Sequence, residues 1–144
     1  MQQFAGLPVY QTDCIQTVLN DAVRLVFGES RRDHVAPDHL HLLCAPQRIQ
    51  FKVALLVYKD TNNLAPDYIT IYCRSSSTNG RRSTLRSADK VILIEPKTRT
   101  EFGKKSFSYT GPHQCNQLPL CVRQSLSVDI FKTRLKSFLF SKSY

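Results

Sequence analysis

The chain has 144 residues, 42% of them apolar and 22% charged, with five cysteines and a net charge of +9. That length suits one domain rather than two, with a modest core. A secreted disulfide scaffold is excluded by an odd number of widely spaced cysteines with no Cys-x-x-Cys pair; a transmembrane protein is excluded by the lack of any apolar run of about 18 residues. Residues 1–10 carry no basic segment followed by an apolar one, so no signal peptide is read there and an intracellular location, nuclear or cytoplasmic, is expected.

Taken in chain order, the first periodic segment is a helix over 12–27. Ile15, Val18, Leu19, Ala22, Leu25 and Val26 recur at helical spacing, Thr12 or Asp13 caps the start, and Gly28 stands where a left-handed residue closes a helix. Residues 29–37 are a polar connector, and Pro37 opens a short turn of helix over 37–43. A second helix runs over about 46–61. Its centre, 53–58, is apolar on every side, which marks a helix covered on more than one face. Asn62 and Asn63 end it, and 65–68 begins another short turn.

Residues 75–83 read as a loop. The β-branched run 91–94, stopped at Pro96, is expected to be a strand. The alternation of Phe107 and Tyr109 with Ser106, Ser108 and Thr110 suggests a second strand over 106–110, stopped by Gly111-Pro112. Two such strands joined by the basic loop 97–105 make a hairpin that must rest on helices. The last helix starts near Ser127, a good cap, with Asp129 in its first turn and Phe131, Leu135, Phe138 and Leu139 on one stripe. The expected fold is therefore α+β and mainly helical, with three to four helices around the buried 46–61 helix and a small basic hairpin. Within one domain, 12–73 forms a helical part, 74–112 the basic loop and hairpin, and 113–144 a C-terminal helical segment.

The charge is uneven. Residues 1–45 hold three Lys and Arg against five Asp and Glu, whereas 74–105 hold nine against three and 106–144 five against one. A basic C-terminal half points to a polyanion, and nucleic acid is the commonest. The candidate phosphate contacts are Arg74, Arg81, Arg82, Arg86, Lys90, Lys97, Arg99, Lys104 and Lys105, joined by Lys132 and Lys136 on the last helix. Phe107 or Tyr109 would supply an aromatic face for a base.

Several ordered stretches resemble the region downstream of the polymerase domain in LINE-type (non-LTR, jockey-like) retrotransposon reverse transcriptases. They are Leu25-Val26-Phe27-Gly28 with Arg31-Arg32-Asp33-His34-Val35, then Leu40-His41-Leu42-Leu43 and Gln47-Arg48-Ile49-Gln50-Phe51-Lys52. Leu55-Leu56-Val57-Tyr58-Lys59, Leu64-Ala65-Pro66-Asp67-Tyr68, Leu85-Arg86-Ser87-Ala88 and Ile94-Glu95-Pro96-Lys97-Thr98-Arg99-Thr100 follow. Phe102-Gly103, Ser106-Phe107, Gly111-Pro112, Asn116, Leu118-Pro119 and the Phe131-to-Phe140 pattern complete a set covering about 7–144. Each is weak alone, and their order carries the resemblance. The chain departs from the pattern at Leu42 and Cys115, where the family has tryptophan, and at Cys44, where it has proline. A truncated, decaying copy of such an element would explain those losses.

The resemblance implies membership in a polymerase polypeptide without polymerase activity. Two-metal nucleotide transfer needs clustered carboxylates, and Asp60, Asp67, Asp89, Glu95, Glu101 and Asp129 are all isolated in sequence. His34, His39, His41 and Cys44 match no zinc-finger spacing, and the family places tryptophan at Cys115 between His113 and Cys121, so no metal site is expected. No Cys–His nucleophile pair is marked either. The expectation is a non-enzyme with no cofactor, no small-molecule substrate and no membrane partner, whose partners are RNA or DNA. The alternatives are a segment that docks its C-terminal helix and basic loop on the reverse transcriptase body, or a relic with no selected function.

Overall fold

A computed structural model describes residues 9–28, 30, 42–70 and 92–142. Seven helices lie among them: α1 (Val9–Phe27), α2 (Ala45–Thr61), α3 (Asp67–Thr70), α4 (Glu101–Lys104), α5 (Phe107–Asn116), α6 (Leu120–Arg123) and α7 (Val128–Ser141).

The centre is α2, and its sequence explains both ends. Pro46 sits in the first turn, where a missing N–H costs nothing. The Ala45 N–H, one of the orphan donors of that turn, is accepted by Gln16 Oε1 of α1 at 2.8 Å. At the other end Asn63 turns left-handed, with φ 57°. The Leu64 N–H then reaches back to the Lys59 carbonyl at 2.7 Å and the Asn63 N–H to that of Asp60 at 3.1 Å, which is the Schellman arrangement.

The apolar residues of α2 divide between two cores. Val53 and Val57 pack with Ile69 of α3, Leu93, and Phe107 and Cys115 of α5. Ala54 and Tyr58 pack with Leu43, Leu118, Val122 of α6, and Phe131, Leu135 and Leu139 of α7. Tyr58 ties the second core together: its ring stacks on Phe131 with centroids 4.0 Å apart, and its hydroxyl donates to the Ser125 carbonyl at 2.6 Å. On the other side α5 approaches closely at Gly111, where an added Cβ would lie 3.0 Å from Val57 Cγ2. The helix α7 starts after Ser127, whose hydroxyl accepts the Ile130 N–H at 3.3 Å.

The α+β expectation fails here. No strand occurs among the described residues, and the segment expected as the second strand, 106–110, lies in and just before α5. The alternation of Phe107 and Tyr109 hid a helical spacing: the buried positions are Phe107, Thr110, Gly111, Pro112 and Cys115. Gly111-Pro112 stops nothing, because it lies inside the helix against α2. Pro112 leaves the Ser108 carbonyl without its helical donor, and that loss is offset by burial of the proline ring and by the close approach that Gly111 permits.

Residues 92–98 form no helix, and among the described residues no neighbouring strand accounts for their anchoring. The Asn116 side chain of α5 does so instead, since its Oδ1 accepts the Leu93 N–H and its Nδ2 donates to the Leu93 carbonyl, both at 3.0 Å. A side-chain amide has the donor and acceptor of a peptide group, so it serves both groups of one residue.

α1 departs from expectation in a different way. It begins at Val9, which places Thr12 inside the helix, buried, rather than at its cap. The face turned inward is Thr12, Gln16, Leu19 and Val23, while the apolar residues Ile15, Val18, Leu25 and Val26 face outward. Gly28 closes the helix with φ 68°. Of the turn expected over 37–43, residues 37–41 lie outside the described residues, and Leu42 and Leu43 are not helical.

Candidate nucleic-acid interface

The basic segment 97–105 is a turn built between two anchors. Upstream, Asn116 holds Leu93, as above, and also donates to Glu95 Oε1 at 3.0 Å. The other oxygen of Glu95 meets His113 Nδ1 at 3.1 Å, and His113 Nε2 meets Gln117 Nε2 at 2.9 Å. The Asn116 hydrogen bond, foremost, and the His113 contact hold the Glu95 carboxyl below its usual range against the opposing effect of partial burial.

Downstream the chain turns through α4. Thr100 caps it, accepting the Gly103 N–H at 3.1 Å on its hydroxyl. The turn is then fastened to α5 by two further bonds, Ser106 Oγ to the Gly103 carbonyl at 2.7 Å and Thr110 Oγ1 to the Lys104 carbonyl at 3.0 Å. Around this braced turn Lys97, Arg99, Lys104 and Lys105 are all exposed. Glu101 is the only carboxylate among them and is held by Lys104. The mutual hydrogen bond and charge lower the Glu101 pKa and raise that of Lys104. Lys97, Arg99 and Lys105 have no ion-pair partner among the described residues.

Four of the eleven expected phosphate contacts thus come together. Lys132 and Lys136 belong to α7, which packs on α2 and α6, whereas the turn is fastened to α5. Lys132 is half-buried and pairs with Asp129 at 3.0 Å, while Lys136 is exposed. Arg74, Arg81, Arg82, Arg86 and Lys90 lie outside the described residues.

The aromatic expectation is corrected at Phe107, which lies in the core against α2, while half-buried Tyr109 has one face stacked on His113 with centroids 5.4 Å apart. The exposed aromatic of this region is Phe102, in α4 between Arg99 and Lys104, which is 85% exposed. The signal for it in the sequence is a lone aromatic within a run of cations, with no apolar residue three or four positions away on either side.

Among the described residues no three His, Cys, Asp or Glu side chains gather closely enough to hold a metal ion; His34, His39 and His41 lie outside them. Cys121 is exposed, whereas burial pushes the Cys115 thiol up to about 11. Of the three positions where the resemblance breaks, Cys115 is buried in the α2–α5 core and Leu42 and Cys44 are half-buried. Among the described residues no helix is long and apolar enough to cross a membrane. No protein-family profile matches this chain, and no significant match is found among curated proteins or solved structures.

Proposed function

We propose that this chain is a non-catalytic nucleic-acid-binding module, of the kind that follows the polymerase domain in LINE-type retrotransposon proteins. In that role it holds template RNA or target DNA during reverse transcription. The observation that carries the binding role is the turn 97–105, where four exposed cations surround a single, already paired carboxylate on a braced backbone. Lysine and arginine placed in this way neutralise phosphates and release the counterions condensed on the strand. The resemblance bears on the scaffold instead: Tyr58, Phe107, Gly111, Leu118, Phe131 and Leu135, which carry part of it, are all buried.

The test is binding of the purified chain to short labelled RNA, single-stranded DNA and duplex DNA at two salt concentrations. Each phosphate neutralised on a single strand contributes about 0.7 to the slope of log K against log salt, so three to four contacts predict a loss of roughly 20- to 50-fold between about 50 and about 200 mM salt. The combined substitution Lys97→Gln, Arg99→Gln and Lys105→Gln should remove about two units of that slope. A folded chain that binds none of the three probes would sink the proposal.

A second reading, docking on another protein such as the polymerase body, draws on one observation. The α7 stripe is spent on α2, so it is not available for docking, whereas the outward apolar face of α1 is open.

A further inference from the structure

Phe102 is a large apolar side chain that gains almost nothing from folding, since most of its surface stays in water. Its surroundings are ordered rather than loose. Thr100 caps the α4 turn, and the Gly103 and Lys104 carbonyls on either side of the loop's return are each bonded to a side chain of the segment leading into or along α5. The ring is therefore presented from a braced backbone, and little further ordering is needed when something stacks on it. Lys97, Arg99 and Lys105, the cations of the turn without an ion-pair partner among the described residues, lie within five residues of it on either side.

An aromatic face within a group of cations fits a ligand that offers a flat π surface next to regularly spaced negative charge. We propose that Phe102 is a base-stacking platform and that it makes the turn 97–105 selective for single-stranded RNA or DNA over duplex. The inference rests on the nucleic-acid reading above and deepens it. In a duplex each base is covered on both faces by its neighbours, and a protruding phenyl ring gains a face only by wedging the stack apart at a cost of a few kcal/mol. In a single strand the base face is open, stacking is tolerant of base identity, and the phosphates on either side reach the flanking cations. A protein partner is the competing occupant. The three cations without an ion-pair partner among the described residues favour a polyanion, whereas the uncharged apolar stripe of α1 is the better protein face.

The experiment compares the full chain with Phe102→Ala and Phe102→Trp by fluorescence anisotropy, using a labelled single-stranded RNA, the same sequence as single-stranded DNA, and the corresponding duplex, each at two salt concentrations. Because Phe102 is exposed, circular dichroism should show all three proteins equally folded. Phe102→Ala is expected to lower single-strand affinity roughly ten-fold, the worth of one base stacked on an aromatic side chain. Duplex affinity and the salt slope should not change, and Phe102→Trp should retain or exceed the parent's single-strand affinity. If Phe102→Ala binds single strands as tightly as the parent, or if the parent shows no preference for single strands, the stacking role is overturned. A retained salt slope in that case leaves the phosphate contacts standing. Absence of salt-dependent binding to every probe would overturn both and return the turn to a protein contact.

Discussion

The helices α1 and α7 are both amphipathic in sequence, and the molecule treats them in opposite ways. In α7 the stripe Phe131, Leu135 and Leu139 is sealed against α2, with Phe131 stacked on Tyr58. In α1 the stripe faces outward: Val18 is 68% exposed, Leu25 85% and Val26 72%. Among the described residues, what holds α1 to the body is narrower, a buried Val23 and Thr12 together with the neutral amide of Gln16 capping the start of α2. An apolar stripe shows that a helix has a face to cover, and it is silent on whether the same domain covers it. With so few buried apolar residues among those described, α1 belongs to the low-stability end of the molecule and α7 to the high end.

The sharpest way to break this comparison is to shorten one residue on each stripe. Phe131→Ala opens a cavity between α7 and Tyr58 and should cost about 3–5 kcal/mol, enough to unfold a domain of ordinary stability. Leu25→Ala should stay within about 0.5 kcal/mol, as expected for an exposed position. Urea unfolding followed by circular dichroism measures both. A large loss at Leu25 would mean that its face is covered in solution, which would strengthen the docking reading.

A smaller change sharpens the α7 side. Tyr58→Phe keeps the ring stacked on Phe131 and removes only the hydroxyl that bonds the Ser125 carbonyl. It should cost about 1–2 kcal/mol, because a buried carbonyl loses its donor. A neutral result would place the whole contribution of Tyr58 in its ring.

The smallest effect separates the polar fastenings. The Gln16 amide that ties α1 to Ala45 does not titrate, whereas Glu95, beside the Leu93 anchor, does. The folded pKa of Glu95 lies below its ordinary value of 4.5. Its stabilising contribution is therefore present in full above that value and is lost as pH falls through the lower folded one. On acidification from about pH 6 to about pH 3, the Leu93 amide resonance should titrate with a midpoint below the ordinary carboxyl value while that of Ala45 stays still. Glu95→Gln should abolish the Leu93 titration. Movement of both resonances together would indicate global acid unfolding instead.

Much of this molecule was legible before any coordinates, wherever the deciding interactions are local. The span of α2, its termination at Asn62-Asn63, the Ser127 cap and the inward stripe of α7 depend on residues within one or two turns of one another. The basic segment that forms the candidate interface was legible in the same way, as a count of charges. Helix α5 was not, because Phe107 and Tyr109 alternate as a strand would and Gly111-Pro112 resembles a stop. Only packing against Val57 shows that Gly111 is a point of close approach and that Phe107, Thr110 and Cys115 share a buried side.

The exposed aromatic of the basic turn was missed for the same reason. Phe102 and Phe107 are five residues apart and chemically identical, yet one is exposed and the other lies in the core beneath α2. Sequence by itself determined which segments are helical where period and caps agree, and where the positive charge lies, since both depend on near neighbours along the chain. Which apolar faces are covered, and which phenylalanine stays exposed, was decided by contacts between residues tens of positions apart, and only the folded chain brings those together.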